Sequence, residues 1–241
     1  HETLGIYKEA TELLDKAKFG AAAEKFGEFI DKSKQTSFPH DKGDLIAEAR
    51  YMQALCAFNL LNANCSGLFE AFIAQYPNHP RVNEAYFHIG KMHYMRKEYK
   101  ESIPPFEKVE SGNLTKAQVT ETRFMLGYAY FKDGRDKDAM DKFRQIRLAE
   151  GVWGEMGAYF FAVLAYREGR YEEAYDAFSR VKPEAKFAEN LDVLKASCLL
   201  KLKRYDELDA LGEKLLEADS KASGEVFFIL ANAAYDRSKF S

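Results

Sequence analysis

Three cysteines and five histidines are the side chains of this chain most suited to nucleophilic or metal chemistry, and their spacing argues against both. His88 and His93 stand five apart, which places them on different faces of a helix; a helical metal pair needs a spacing of three or four. His1, His40 and His79 stand alone. Cys56 and Cys65 are read, like Cys198, as small apolar fillers, the usual role of a lone cysteine at a small buried position. No Cys-x-x-Cys, His-Glu-x-x-His, glycine-rich phosphate loop or Gly-x-Ser-x-Gly occurs. The run Asp133-Gly134-Arg135-Asp136-Lys137-Asp138 has the aspartates of a calcium loop, but its glycine and basic residues are misplaced. Asn64-Cys65-Ser66 and Asn113-Leu114-Thr115 match the glycosylation acceptor, which matters only in a eukaryotic secretory setting. The chain is therefore expected to be no enzyme, with no cofactor and no metal.

Composition narrows the partners. The 35 Lys plus Arg against 38 Asp plus Glu leave a net charge of −3, which provides no electrostatic footprint for nucleic acid or an anionic membrane. No apolar run approaches the roughly 20 residues that span a bilayer, so no direct membrane insertion is expected.

The elements that must position any site repeat along the chain. Tyr86-x-x-Ile89-Gly90 is followed by Tyr99-x-x-Ser102-x-x-x-Phe106. Leu126-Gly127-x-x-Tyr130 is followed by Ala139-x-x-x-Phe143, and Phe161-Ala162-x-x-Ala165 by Tyr171-x-x-Ala174-x-x-x-Phe178. A small residue recurs at Ala10, Gly90, Gly127, Ala162, Ala196 and Ala231, with Gln53 in the same place once. The spacings are 43, 37, 37, 35, 34 and 35 residues. Residues 33–44, polar and carrying Pro39 and Gly43, read as an inserted loop. Gly134 and Gly169 fall where a helix end takes a left-handed residue. Pro104-Pro105 inside a second helix predicts a late start near Ser102, or a bend.

This pattern resembles the tetratricopeptide repeat family, whose period is 34 residues. The resemblance implies an all-α fold: a right-handed α-solenoid superhelix of six helix pairs and a seventh first helix over residues 1–241. The recurring small residue is position 8 of that family's numbering. Small residues at position 20 (Ala22, Ser102, Ala139, Ala174) and aromatic wedges at position 24 (Phe26, Phe69, Phe106, Phe143, Phe178) complete the packing. Repeat two departs with Gln53 and Cys65, and repeat six with Leu208 and Gly212. Cys56 and Cys65 would face each other across one repeat, so a disulfide is conceivable there beside the filler reading. Repeat seven stops after its first helix, and the chain is expected to be part of a longer repeat protein.

In this family first-helix positions 2, 5, 9, 12 and 13 line a concave groove. The resemblance implies a partner-binding surface of Arg50, Phe58, Phe87, Lys91, Tyr94, Phe124, Tyr128, Phe131, Tyr159, Tyr166 and Arg167, with Tyr7, Glu84, Lys132, Phe228, Asn232 and Tyr235 on the same face. Aromatics beside Arg and Lys have the composition of binding hot spots; the plainer reading is that they thicken the core. The two-carboxylate clamp that captures chaperone tails is not assembled, since Tyr128 and Val163 occupy its positions. Gln75-Tyr76-Pro77-Asn78-His79-Pro80 and Glu84-Ala85-Tyr86-Phe87-His88-Ile89-Gly90 look like the repeats of bacterial envelope proteins, the outer-membrane assembly lipoprotein and the Tol–Pal-associated type. The expected function is a non-enzymatic scaffold for a protein or peptide ligand. The expected location is the bacterial periplasm or the periplasmic face of the outer membrane, with the cytoplasm as alternative. Two other readings stand beside it: a regulatory or substrate-recruiting region of a larger enzyme, and a module that self-associates through its C-terminal end.

Overall fold

The computed structural model describes residues 2–35, 43–188, 190–217 and 223–238. Among these residues run thirteen α-helices and no strand. They are α1 (Glu2–Asp15), α2 (Phe19–Gln35), α3 (Gly43–Asn59), α4 (Cys65–Gln75), α5 (Val82–Met95), α6 (Tyr99–Glu107), α7 (Lys116–Lys132), α8 (Asp136–Ile146), α9 (Val152–Arg167), α10 (Tyr171–Phe178), α11 (Leu191–Lys201), α12 (Tyr205–Glu217) and α13 (Ser223–Ser238). In chain order they make six helix pairs and a seventh first helix, an all-α helical repeat.

The chain divides into two units, His1–Asp133 and Gly134–Ser241. In the first, α1 to α7 each pack on the next helix in sequence, and α3 also meets α5 as α5 meets α7. In the second, α8 to α13 follow the same rule, and α13 lies against both α11 and α12.

Packing within a pair turns on the small residue of the first helix. A Cβ built on Gly90 would stand 2.6 Å from the Phe106 ring, so the ring occupies the space that a side chain would need. All five wedge residues are buried, Phe26, Phe69, Phe143 and Phe178 completely. The small position-20 residues beneath them are equally closed. Where the pattern departs, the packing is remade. Gly212 replaces a wedge in α12, and Leu230 of α13 fills its place, 2.5 Å from where a Cβ would be. Gln53 replaces a small residue in α3, and its amide donates to the Ala23 carbonyl beside Gly27 of α2.

The turns within pairs share one geometry. Ala17, Leu61, Lys97, Gly134, Gly169 and Lys203 all have positive φ, between 54° and 77°. The amides of Lys97 and Glu98 donate to the carbonyls of Tyr94 and His93, closing α5 with the two nested bonds of a Schellman end. The same pair of bonds closes α1, α3, α9 and α11. Glycine serves at Gly134 and Gly169 as expected; four other turns hold an ordinary residue in the left-handed region.

Two expectations need correction. The ends of the loop placed over 33–44 are helical, since α2 runs to Gln35 and α3 starts at Gly43, while residues 36–42 lie outside the described residues. Ser33 continues the buried stripe of Phe26, Phe29 and Ile30, a spacing that its polar neighbours mask. Helix α6 starts at Tyr99, not near Ser102, and holds both prolines inside. Each proline withholds one i→i−4 donor, from the carbonyls of Lys100 and Glu101, and the helix ends two residues after Pro105, at Glu107.

Two substitutions test this packing. Gly90→Ala forces the Phe106 ring aside and should destabilise by about 1–3 kcal/mol. Lys97→Gly relieves a left-handed residue and should stabilise by about 0.5–1 kcal/mol, net of glycine's greater chain entropy. Urea denaturation of the two variants beside the parent measures both signs.

Candidate functional site

Helices α3, α5 and α7 present the first-helix face of the first unit. At its centre three tyrosine rings meet edge to face: Tyr94 to Tyr99 at 5.4 Å, Tyr99 to Tyr128 at 5.4 Å and Tyr94 to Tyr128 at 5.9 Å. All three are half-buried, and burial pushes the Tyr94 hydroxyl well above its usual range, keeping it a neutral donor. Phe131 stands 6.2 Å from Tyr128, half-buried. Lys132 Nζ lies 6.0 Å from the Tyr99 ring centre. Lys91 pairs with Glu121 at 2.8 Å and crosses the Phe87 ring. Tyr99 belongs to a second helix, which is why reading first helices alone omits it from the site.

Two expected groove residues are core. Phe87 and Phe124 are 3% and 0% exposed. Both occupy position 5, which in this unit lies at the seam where α3 meets α5 and α5 meets α7, so the neighbouring first helix covers it. Arg50, the position-5 residue of α3, has its Nε buried with no hydrogen-bond partner among the described residues. Phe58 is half-buried against the His88 ring at 4.7 Å.

A polar network lies beside this seam. The Tyr51 hydroxyl donates to Glu84 at 2.8 Å. The Arg81 guanidinium donates to Glu84 at 2.9 Å and to Glu48 at 3.2 Å while it covers the Tyr51 ring. His88 rests on the Phe69 ring, nearly parallel at 5.3 Å, with Phe58 and Phe87 alongside. Desolvation is the largest influence on His88 and lowers its pKa to about 4, with Lys91 and Arg81 acting the same way and Glu84 opposing. Sequence spacing excluded His88 as a metal ligand but gave no sign of this aromatic bed.

In the second unit α9 carries Tyr159, Tyr166 and Arg167. Tyr159 is half-buried among Phe160, Phe178 and Phe187, at ring distances of 5.3, 5.8 and 5.8 Å. Tyr166 meets Tyr171 edge to face at 5.2 Å. Arg167 is exposed, 3.7 Å from Asp136. On α13, Phe228 and Tyr235 are 70% and 61% exposed, whereas Val226, Ile229 and Ala233 form its packed face.

No group of three or more metal-ligating side chains occurs among the described residues. The three cysteines are buried free thiols, and burial raises Cys56 to about 11 and Cys198 to about 12. Cys56 packs in the cluster of Ile6, Ala10 and Phe26, and Cys65 in another with Ala57 and Met92, as small apolar fillers do. No helix among the described residues is long and apolar enough to cross a membrane.

Comparison with known proteins agrees with this architecture. A tetratricopeptide repeat model matches residues 48–79 and 121–148. A tetratricopeptide repeat protein from Parabacteroides merdae has a TM-score of 0.56 at 12% identity, over 98% of this chain and 87% of that one. PilF of Pseudomonas aeruginosa has a TM-score of 0.56 at 16% identity, over 95% and 97%. MamA of strain AMB-1 has a TM-score of 0.54 at 18% identity, over 74% and 88%. At these identities the likeness is one of fold. A search of curated protein sequences returns no significant match. The matched segments and the neighbouring structures support the tetratricopeptide repeat family.

His88 sets an acid limit. Its folded pKa of about 4 lies below the unfolded value near 6.5, so the unfolded chain binds the proton more readily between them. Stability is full above about pH 6.5 and falls through that window towards pH 4, by on the order of 3 kcal/mol. His88→Leu should flatten that part of the stability–pH curve, measured by urea denaturation at half-unit steps. The thiols supply a second test. At pH 8 the native chain should react slowly with a thiol reagent, and denatured without reductant it should release three thiols per chain.

Proposed function

We propose that this chain is a non-enzymatic scaffold that holds a protein segment against the first-helix face of α3, α5 and α7. Helical repeats of this type generally mediate protein–protein interaction. The observation that carries the reading is the triangle of Tyr94, Tyr99 and Tyr128. Its rings are packed firmly enough to be preorganised and remain half-open to a ligand. Rigid aromatics supply large contact area at small entropic cost, and phenol hydroxyls can reach the backbone of an extended segment. Lys91, Phe131 and Lys132 flank the triangle; Tyr159, Tyr166 and Arg167 are proposed to play the same part on α9. The envelope-like repeat around Tyr76-Pro77-Asn78 supports a bacterial periplasmic location, which cell fractionation tests directly.

A second reading is self-association through α13, favoured by Phe227 and Phe228, 48% and 70% exposed. Light scattering across a concentration series, with Phe227→Ser/Phe228→Ser as control, decides it.

For the leading reading, Tyr94→Ala/Tyr128→Ala should abolish capture of the partner by immobilised chain while the melting temperature stays within a few degrees. Phe143→Ala empties a fully buried site against Phe160 and should cost about 3–5 kcal/mol. A tyrosine variant that melts as early as Phe143→Ala would mean that the triangle is core; undiminished capture would place the partner elsewhere.

A further inference from the structure

A second surface in the first unit uses the other side of α5 together with the second helices α4 and α6. Between α4, α5 and α6 lies a groove of about 410 Å³, within the range of small-ligand sites. Glu70 and Ile73 of α4, Tyr86 and Ile89 of α5 and Glu101 of α6 line it. The floor is apolar. The rim is acidic, because Glu70 and Glu101 are exposed carboxylates with no ion pair among the described residues. Two nearby groups are already engaged: Lys108 Nζ sits over the Tyr86 ring at 5.1 Å, and His93 meets Glu98 at 2.7 Å.

Pro104 and Pro105 have no N–H, so neither can give the carbonyls of Lys100 and Glu101 their helical i→i−4 bond. Two exposed carboxylates without an ion pair among the described residues flank a largely apolar slot with one aromatic wall, Tyr86. That combination suits a side chain with an apolar stem and a planar cationic head.

We infer that this groove is a docking site for an arginine side chain presented by a partner protein. The stem would lie on Ile73 and Ile89, and the guanidinium would be shared by Glu70 and Glu101. Arginine fits better than lysine because its head is planar, weakly hydrated and donates in a fork to carboxylates. The site is separate from the tyrosine face: one set of residues projects from α4, α6 and the opposite side of α5, the other from first-helix positions 9, 12 and 13 and from Tyr99.

The test is a titration of the full chain, with Ile methyl and backbone amide resonances followed by NMR. The probes are N-acetyl-arginine methylamide and its neutral isostere N-acetyl-citrulline methylamide. Arginine should shift Ile73, Ile89, Glu70 and Glu101 saturably at millimolar concentration, with citrulline at least about tenfold weaker. Glu70→Gln/Glu101→Gln should lower arginine binding to the citrulline level and leave the melting temperature unchanged, because both carboxylates are exposed and unpaired. Tyr94→Ala/Tyr128→Ala should leave the titration intact, so that failure of this site and failure of the tyrosine face are separable. Equal response to the two probes, no saturable shift, or arginine binding that survives the double glutamine variant would overturn the proposal.

Discussion

An aromatic ring placed where a Cβ would otherwise stand ties a first helix to its partner. Gly90 and Phe106 show the constraint in its tightest form: the first helix can be approached only because it lacks a side chain there. A buried phenylalanine contributes several kcal/mol, and a single added methyl would push it out. The gap and its filler therefore change together. Gly212 receives Leu230 from a different helix, and Gly157 of α9 receives Ile146 from α8. The repeat conserves a contact rather than a residue type. Helix pairing, turn geometry and the seams between first helices all follow once that contact is made.

The turns show how much local cost the array tolerates. Leaving an ordinary side chain in the left-handed region costs roughly 1 kcal/mol, yet Ala17, Leu61, Lys97 and Lys203 are held there. Each is fixed by the nested bonds that end the first helix, and the second helix starts two residues later after Ala17, Lys97 and Lys203 and four residues later after Leu61. A shallower turn would move the second helix off the small residue that it covers. Packing decides the backbone here, and residue preference yields.

Much of this organisation was legible in the sequence. Six pairs and a seventh first helix follow from the recurrence of one small residue and one aromatic, a signal that does not depend on any single position. The aromatic face was legible only in part, because its outcome depends on neighbours. Position 5 points towards the adjacent first helix, so Phe87 and Phe124 disappear into seams, while Phe228 on α13 remains exposed. Helical spacing assigns all three to one face and cannot say which is covered. The end of α2 was hidden for a related reason: the polar run after Ile30 masks the stripe that carries Ser33 into the core. Tyr99 and His88 were missed because the site draws on a second helix and on a position that spacing alone marks as packing.

Charge is distributed differently over the two faces of the first unit, and that difference bears on selectivity. On the first-helix side several charges are paired internally: Lys91 with Glu121, Arg81 with Glu48 and Glu84, and Glu84 again with the Tyr51 hydroxyl, while the buried Nε of Arg50 has no hydrogen-bond partner among the described residues. A ligand at the tyrosine triangle meets chiefly rings and hydroxyls. Such a face discriminates through shape and aromatic contact, and the half-buried pairs around it act mainly to reject. Between α4, α5 and α6 the situation is reversed. Glu70 and Glu101 are exposed without an ion-pair partner among the described residues, and two prolines withhold donors from the backbone beside them. Carboxylates so placed can accept from an incoming guanidinium without breaking an existing ion pair. One helix layer can thus present two chemically distinct surfaces, because each helix has only one stripe committed to the core.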